Sequence, residues 1–240
     1  MRQHKRAPVA NRLLDALTAG DRQRLLAGCV SVDLAAADVL HVAGERMGHA
    51  YFPTGSFISL AMPVDASSLL EVALIGNEGM FGIPLSLEPN VSPMRAVVQG
   101  AGSALRVDVA ALRRELRRSD TLRRQVDRYV FVQLCAFAQV AACTRFHRVE
   151  ARLARRLLMT QDRAHANAFH VTQDLLAHAL GVRRVGVTQA ASALQKRSLI
   201  QYRRGNIIVL DRLGLKAAAC GCYKADRDAY DRILCPPLRR

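Results

Sequence analysis

VTQDLLAHALGVRRVGVTQAASALQKRSLIQYRRGNIIVL, residues 171–210, is the stretch whose reading decides the fold. Thr172 stands where a helix N-cap belongs, residues 173–180 carry an apolar stripe, and Gly181 stops the helix. A second helix is predicted to start near 182–184 and to run to about Arg197. Leu175, Leu176, Ala179 and Leu180 before the turn answer Val187, Ala191 and Leu194 after it, as two short packed helices require. Residues 198–202 and 207–210 are β-like and flank Arg203-Arg204-Gly205-Asn206, where Gly and Asn suit a hairpin turn. Helix, glycine turn, helix and hairpin is the order of a winged helix-turn-helix.

In such a unit the front of the second helix enters a major groove about 12 Å wide. Here that front carries Arg183, Arg184, Gly186, Thr188 and Gln189. Arginine matches guanine O6/N7, glutamine matches adenine N6/N7, and glycine lets backbones approach. Thr172, at a helix N-terminus, is placed to donate to a phosphate. Arg203 and Arg204 at the wing tip are expected phosphate contacts, which add affinity without reading sequence. Gln173 and Lys196 complete the expected DNA-binding set.

Charge points the same way. The chain carries 35 Lys+Arg against 20 Asp+Glu, a formal +15. Residues 1–115 hold 11 of each sign, whereas 116–240 hold 24 basic against 9 acidic. The whole excess therefore lies in one half, as in a polyanion-binding domain joined to a neutral one. A coding bias would explain 31 Arg beside only 4 Lys, but not the scarcity of acids. Composition is that of an ordinary globular protein. No apolar run approaches the roughly 18–20 residues of a membrane span, so no membrane partner is expected. MRQHKRAPVANRLL has basic residues without an apolar core, so a cytoplasmic protein is expected.

Upstream, short β-type runs at 39–42, 51–52, 57–61, 69–75, 96–98 and 104–107 alternate with glycines, a pattern of antiparallel sandwiches or barrels. Segments 13–26 and 109–116 look helical, the second with Asp108 as N-cap. From 119 to 146 there is neither Gly nor Pro. Leu122, Val126, Tyr129, Gln133, Ala136, Val140 and Cys143 form a seam with steps of four and three, and Val130, Leu134, Phe137 and Ala141 a second stripe. One face is expected to meet the β domain and the other the same helix of a second chain. The seam from Leu122 to Val140 is assigned to the dimer; a helix buried within one chain is the alternative.

The chain resembles the Crp/Fnr family of bacterial transcription regulators, from about residue 15 to about 215. YFPTGSFISL (51–60), GNEGMFG (76–82), the helix 119–146 and the stretch 171–210 carry the resemblance. It implies an α+β protein: an N-terminal antiparallel β-roll like a cyclic-nucleotide-binding domain (12–117), a dimerisation helix (118–147), a winged helix-turn-helix (148–225) and a C-terminal tail (226–240). It further implies a homodimer on palindromic promoter DNA, with RNA polymerase as a partner. Where the phosphate cassette of the family's cyclic-AMP-binding members reads Gly-Glu-Leu and then Arg-Ser-Ala, this chain reads Gly82-Ile83-Pro84 and then Arg95-Ala96. Losing that carboxylate and hydroxyl costs hydrogen bonds of about 1–3 kcal/mol each if buried, so cyclic AMP is not expected as effector. Gly82, Arg95 and Ala96 remain as candidates to meet another anionic effector, or Arg95 is a rim residue without one. The family's Arg-Glu-x-x-x-Arg reading set becomes Arg184, Val185 and Gln189, which predicts a different half-site.

Other chemistries find little support. No nucleophile elbow, P-loop, paired-carboxylate spacing or H-E-x-x-H motif is present, so no catalytic residue and no cofactor is expected. Cys220-Gly221-Cys222 is the only close thiol pair and offers at most half a metal site, so no metal site is assigned. A redox- or metal-responsive thiol protein using Cys220 and Cys222 is the competing function. Cys29 alone does not supply the family's N-terminal cysteine cluster, and His41, His49 and His147 each stand alone in sequence.

Overall fold

A computed structural model describes residues 11–65 and 68–234. The N-terminal unit runs α1 (Arg12–Asp15), α2 (Ala19–Ala27), β1 (Cys29–Leu34), β2 (Val39–His41), β3 (His49–Pro53), β4 (Phe57–Pro63) and β5 (Leu69–Ile75). It continues through α3 (Ile83–Ser86), β6 (Arg95–Gly100), β7 (Gly102–Asp108) and α4 (Val109–Arg118). The long helix α5 (Asp120–Phe146) follows. Then come α6 (Val149–Ala164), β8 (Ala168–His170), α7 (Gln173–Leu180), α8 (Arg184–Lys196), β9 (Ile200–Arg203), β10 (Asn206–Val209), α9 (Arg212–Ala218) and α10 (Cys222–Leu234).

Two antiparallel sheets, ordered β1-β7-β3 and β2-β6-β4-β5, make the roll. Phe52, Ile58, Leu60, Ile75 and Met80 fill its core. The segment expected as one helix over 13–26 is two, because Thr18 caps α2 by accepting from the Asp21 amide while Asn11 caps α1. The Asn11 amide also donates to the carbonyls of Pro53 and Gly79, at 3.0 and 2.8 Å, and so fastens the entry of the chain to the roll. Asp108 caps α4 through the Ala110 and Ala111 amides as expected, and those bonds hold its carboxyl below the usual range. β1 was not foreseen. Its alternation is weak, yet it pairs with β7 from Cys29 opposite Val107 to Leu34 opposite Gly102.

α5 docks on the roll through part of the seam. Leu122, Val126 and Tyr129 are buried in the roll's core, and the Tyr129 hydroxyl donates to the Met80 carbonyl at 3.2 Å. A Cβ on Gly79 would lie 2.1 Å from that hydroxyl, so the GNEGMFG loop needs glycine where the helix crosses it. This reverses the assignment of faces. Leu122, Val126, Tyr129 and Gln133 are spent inside the chain, and Ala136 and Val140 line a cleft beside it. Val130 and Phe137 of the second stripe also pack against the first core, so the open apolar face is that of Phe131, Leu134 and Phe146, exposed at 55%, 57% and 77%. The expected absence of a long apolar run also needs correction. Between Tyr129 and Phe146 only Arg145 is charged, and α5 is long and apolar enough to cross a membrane. Gln133, whose amide donates to the Tyr129 hydroxyl at 3.0 Å, serves the docked face instead.

The region read as a tail is mostly helix. Residues 226–234 belong to α10, which packs along α5; residues 235–240, with Cys235, lie outside the described residues. Tyr230 and Leu234 enter the first core, and the Tyr230 hydroxyl donates to the Glu78 carbonyl at 2.7 Å. Tyr223, at the other end of α10, belongs to the second core with Leu153, Leu157, Leu176, Val187 and Leu194. The two units also meet through a buried ion pair. Arg156 of α6 donates to both oxygens of Glu71 on β5, at 2.5 and 2.9 Å, and Ser59 and Gln99 donate to the same carboxylate.

Candidate nucleic-acid interface

α7 and α8 form the helix pair read from the sequence. Thr172 caps α7 by accepting from the Leu175 amide, and Gly181 closes it at φ 58°. A Cβ on Gly181 would come within 2.9 Å of Leu70, so the turn also closes against β5 of the roll. Leu176 and Leu180 meet Val187, Ala190, Ala191 and Leu194 in the second core. Leu175, expected among the core positions, is exposed instead.

Burying that side of α8 turns its opposite side outward. Arg183, Arg184, Val185, Thr188 and Gln189 are exposed, and Gly186 is partly covered. Arg184 and Thr188 lie one turn apart on one stripe, Val185 and Gln189 on the next. Gln173 connects the two helices: its side-chain oxygen accepts from Arg184 Nε at 3.1 Å and from the Thr188 hydroxyl at 3.3 Å. Asp174 lies 3.8 Å from Arg184 Nε. The Arg184 side chain is thus braced by α7 while its guanidinium tip stays open.

The wing is a three-stranded antiparallel sheet ordered β8-β10-β9. Arg204 and Gly205 form its two-residue turn with φ 50° and 83°, the left-handed pair that matches the twist of a hairpin. Arg203 and Arg204 are exposed there. β8 was missed because three residues, Ala168–His170, give no alternation to read. Thr172, Gln173, Arg184, Thr188 and Arg204 line one concave surface of about 500 Å³ with Tyr202 and Gly205. Lys196 stands apart, about 18 Å along α8 from Arg184 at 1.5 Å per residue.

The roll candidates are less convergent. Gly82 precedes α3 with φ 115°, and a Cβ there would meet Ala50 Cβ at 2.9 Å, so the backbone alone demands glycine. Ala96 is fully buried, paired with Leu60 and His41 across its neighbouring strands. Arg95 is partly buried, with its Nε buried and unpartnered. None of the three lines the cleft of about 540 Å³ where β5, α5, α6 and α10 meet. The thiols also fall differently from their sequence neighbourhood. Cys220 and Cys222 are buried beside Cys143 and next to His147.

Residues 151–218 match the Crp-like helix-turn-helix domain family. Among solved structures, the c-di-GMP responsive global regulator CLP of Xanthomonas campestris aligns with TM-score 0.66 and 17% identity, covering 80% of this chain and 99% of that one. FixK2 from Bradyrhizobium japonicum aligns with TM-score 0.69 and 14% identity, covering 80% and 98%. A CRP-family transcriptional regulator from Thermus thermophilus gives 0.65 and 18%, covering 78% and 96%. Residues 151–218 thus form a Crp-like helix-turn-helix domain, in a chain that shares the fold of these regulators. Its helix-turn-helix is the matched domain, and the fold likeness extends through the roll and α5. No curated protein matches the chain significantly in sequence. Within the Crp/Fnr-like architecture, the missed elements are β1, α3, β8, α9 and α10, and the missed grouping is that of Cys143 and His147 with Cys220 and Cys222.

Proposed function

We propose that the protein is a cytoplasmic, sequence-specific regulator that binds a palindromic promoter site as a homodimer. The observation that carries this reading is the exposed front of α8, where Arg184, Val185, Thr188 and Gln189 stand beside a basic wing. The open face of α5, with Phe131 and Leu134, supplies the two-fold contact in place of the seam first assigned to it. Two-fold pairing sets recognition helices about 34 Å apart, one turn of the duplex. RNA polymerase is the further partner of such a regulator, which acts through binding rather than catalysis. Cyclic AMP is not its effector: Ile83 and Ala96 offer neither carboxylate nor hydroxyl. An effector seated in the roll would act by shifting the packing of α5 and hence the helix spacing. Equal operator affinity with and without every bound effector would exclude that control.

Selection of bound sequences from a random duplex pool tests the reading, with a two-fold motif expected. A motif without symmetry, or none, contradicts it. Arg184→Ala should cost about 1–3 kcal/mol at one base pair and relax specificity there. Equal weakening on all sequences would make Arg184 a phosphate contact only. Arg203→Ala should weaken every sequence alike and lower the salt slope by about one unit, read from binding isotherms at several salt concentrations.

A further inference from the structure

Four side chains with donor atoms suited to a soft or borderline metal converge at the hinge between α5 and α6. Cys143 lies on the last turn of α5, His147 caps that helix one turn later, Cys220 lies between α9 and α10, and Cys222 opens α10. The four ligand atoms all lie within 4.8 Å of one another. Cys143 Sγ is 3.5 Å from Cys220 Sγ, and Cys222 Sγ is 3.5 Å from His147 Nδ1. A tetrahedral zinc ion, with its ordinary Zn–S and Zn–N lengths, sets sulfurs about 3.8 Å apart and sulfur and nitrogen about 3.6 Å apart. The observed spacing therefore needs adjustments of only about an ångström or less.

We propose that Cys143, His147, Cys220 and Cys222 form a closed, four-coordinate site for a single zinc ion. The surroundings fit that occupant. Gln139 Nε2 donates to Cys222 Sγ at 2.9 Å, the kind of outer contact that orients a ligand sulfur. Three thiolates around a divalent ion carry one net negative charge, and Arg152 and Arg155 of α6 lie close enough to interact with Cys143 and Cys220. Binding releases to solvent whatever protons the three thiols still hold and leaves no open coordination position, so the site holds structure rather than performing hydrolysis. A cluster of several irons would spread its ligand sulfurs farther than one ion does. Among the four, only His147 is exposed, which makes it the last ligand to close. The ion would join the end of α5 to the start of α10 across the hinge that carries the DNA-binding unit.

The test uses the full chain without a histidine tag, purified under reducing conditions. One zinc per chain should survive desalting, and cobalt titrated into the metal-free protein should give tetrahedral visible bands with thiolate charge-transfer absorption. His147→Ala, at an exposed position, should keep its helical circular dichroism. Its cobalt affinity should fall by more than the roughly 10–100-fold that outer contacts contribute. Cys220→Ser should lower the thiolate absorption by about one third, because Cys143 and Cys222 remain as sulfur ligands. Any of four results overturns the proposal: reduced protein that takes up neither metal stoichiometrically, an octahedral cobalt spectrum, an iron chromophore, or unchanged affinity in His147→Ala. Because the readouts are metal content and spectra, they stand apart from DNA binding.

Discussion

Glu71→Ala should destabilise the folded chain by about 3–5 kcal/mol, because it leaves the Arg156 guanidinium buried without its counter-charge. Glu71 and Arg156 are 8% and 4% exposed, and Ser59, Gln99 and Thr160 engage the pair. Water cannot replace the lost carboxylate without opening the contact between β5 and α6. Urea unfolding followed by circular dichroism reads the loss. Replacing both members with leucine should recover much of it, since a well-packed apolar pair avoids the desolvation of two charges. A loss under about 1 kcal/mol for Glu71→Ala would show that the pair is solvated.

The second large effect concerns assembly. Phe131→Asp combined with Leu134→Asp places two carboxylates on the open face of α5 and should give monomers in sedimentation. Operator affinity should then fall by roughly 10²–10⁴-fold, the advantage that linking two half-site contacts confers. Leu122→Asp would give a different outcome, because Leu122 is buried against the roll and its loss unfolds the unit. A dimer that survives the double substitution would place the two-fold contact elsewhere.

The DNA-facing unit was legible because each of its signals is local. The Thr172 cap, the Gly181 stop and the Arg204-Gly205 turn act over a few residues, and helix boundaries followed closely. The roll was legible as a class, from alternating runs and glycines, while its β1 and the wing's β8 required partners distant in sequence, β7 and β10. Periodicity showed that α5 has two apolar stripes, but not that residues of both, Tyr129 with Val130 and Phe137, meet the first core. That docking depends on Gly79, which admits Tyr129 and so draws the first stripe inward. Cys143 and His147 lie 77 and 75 residues from Cys220 and Cys222, so spacing rules that succeed within one loop had nothing to read.

α10 gives the chain an unusual route. The path leaves the first core along α5, builds the second, and returns to the first with Tyr230 and Leu234. A protease nick at the α5–α6 hinge would therefore leave two fragments still clasped, since the C-terminal piece keeps its last helix lodged against the N-terminal one. The DNA-binding unit is stitched at both ends rather than hung on a tether. Any reorientation of the helix-turn-helix must carry that second seam with it, which favours a small pivot over a free swing.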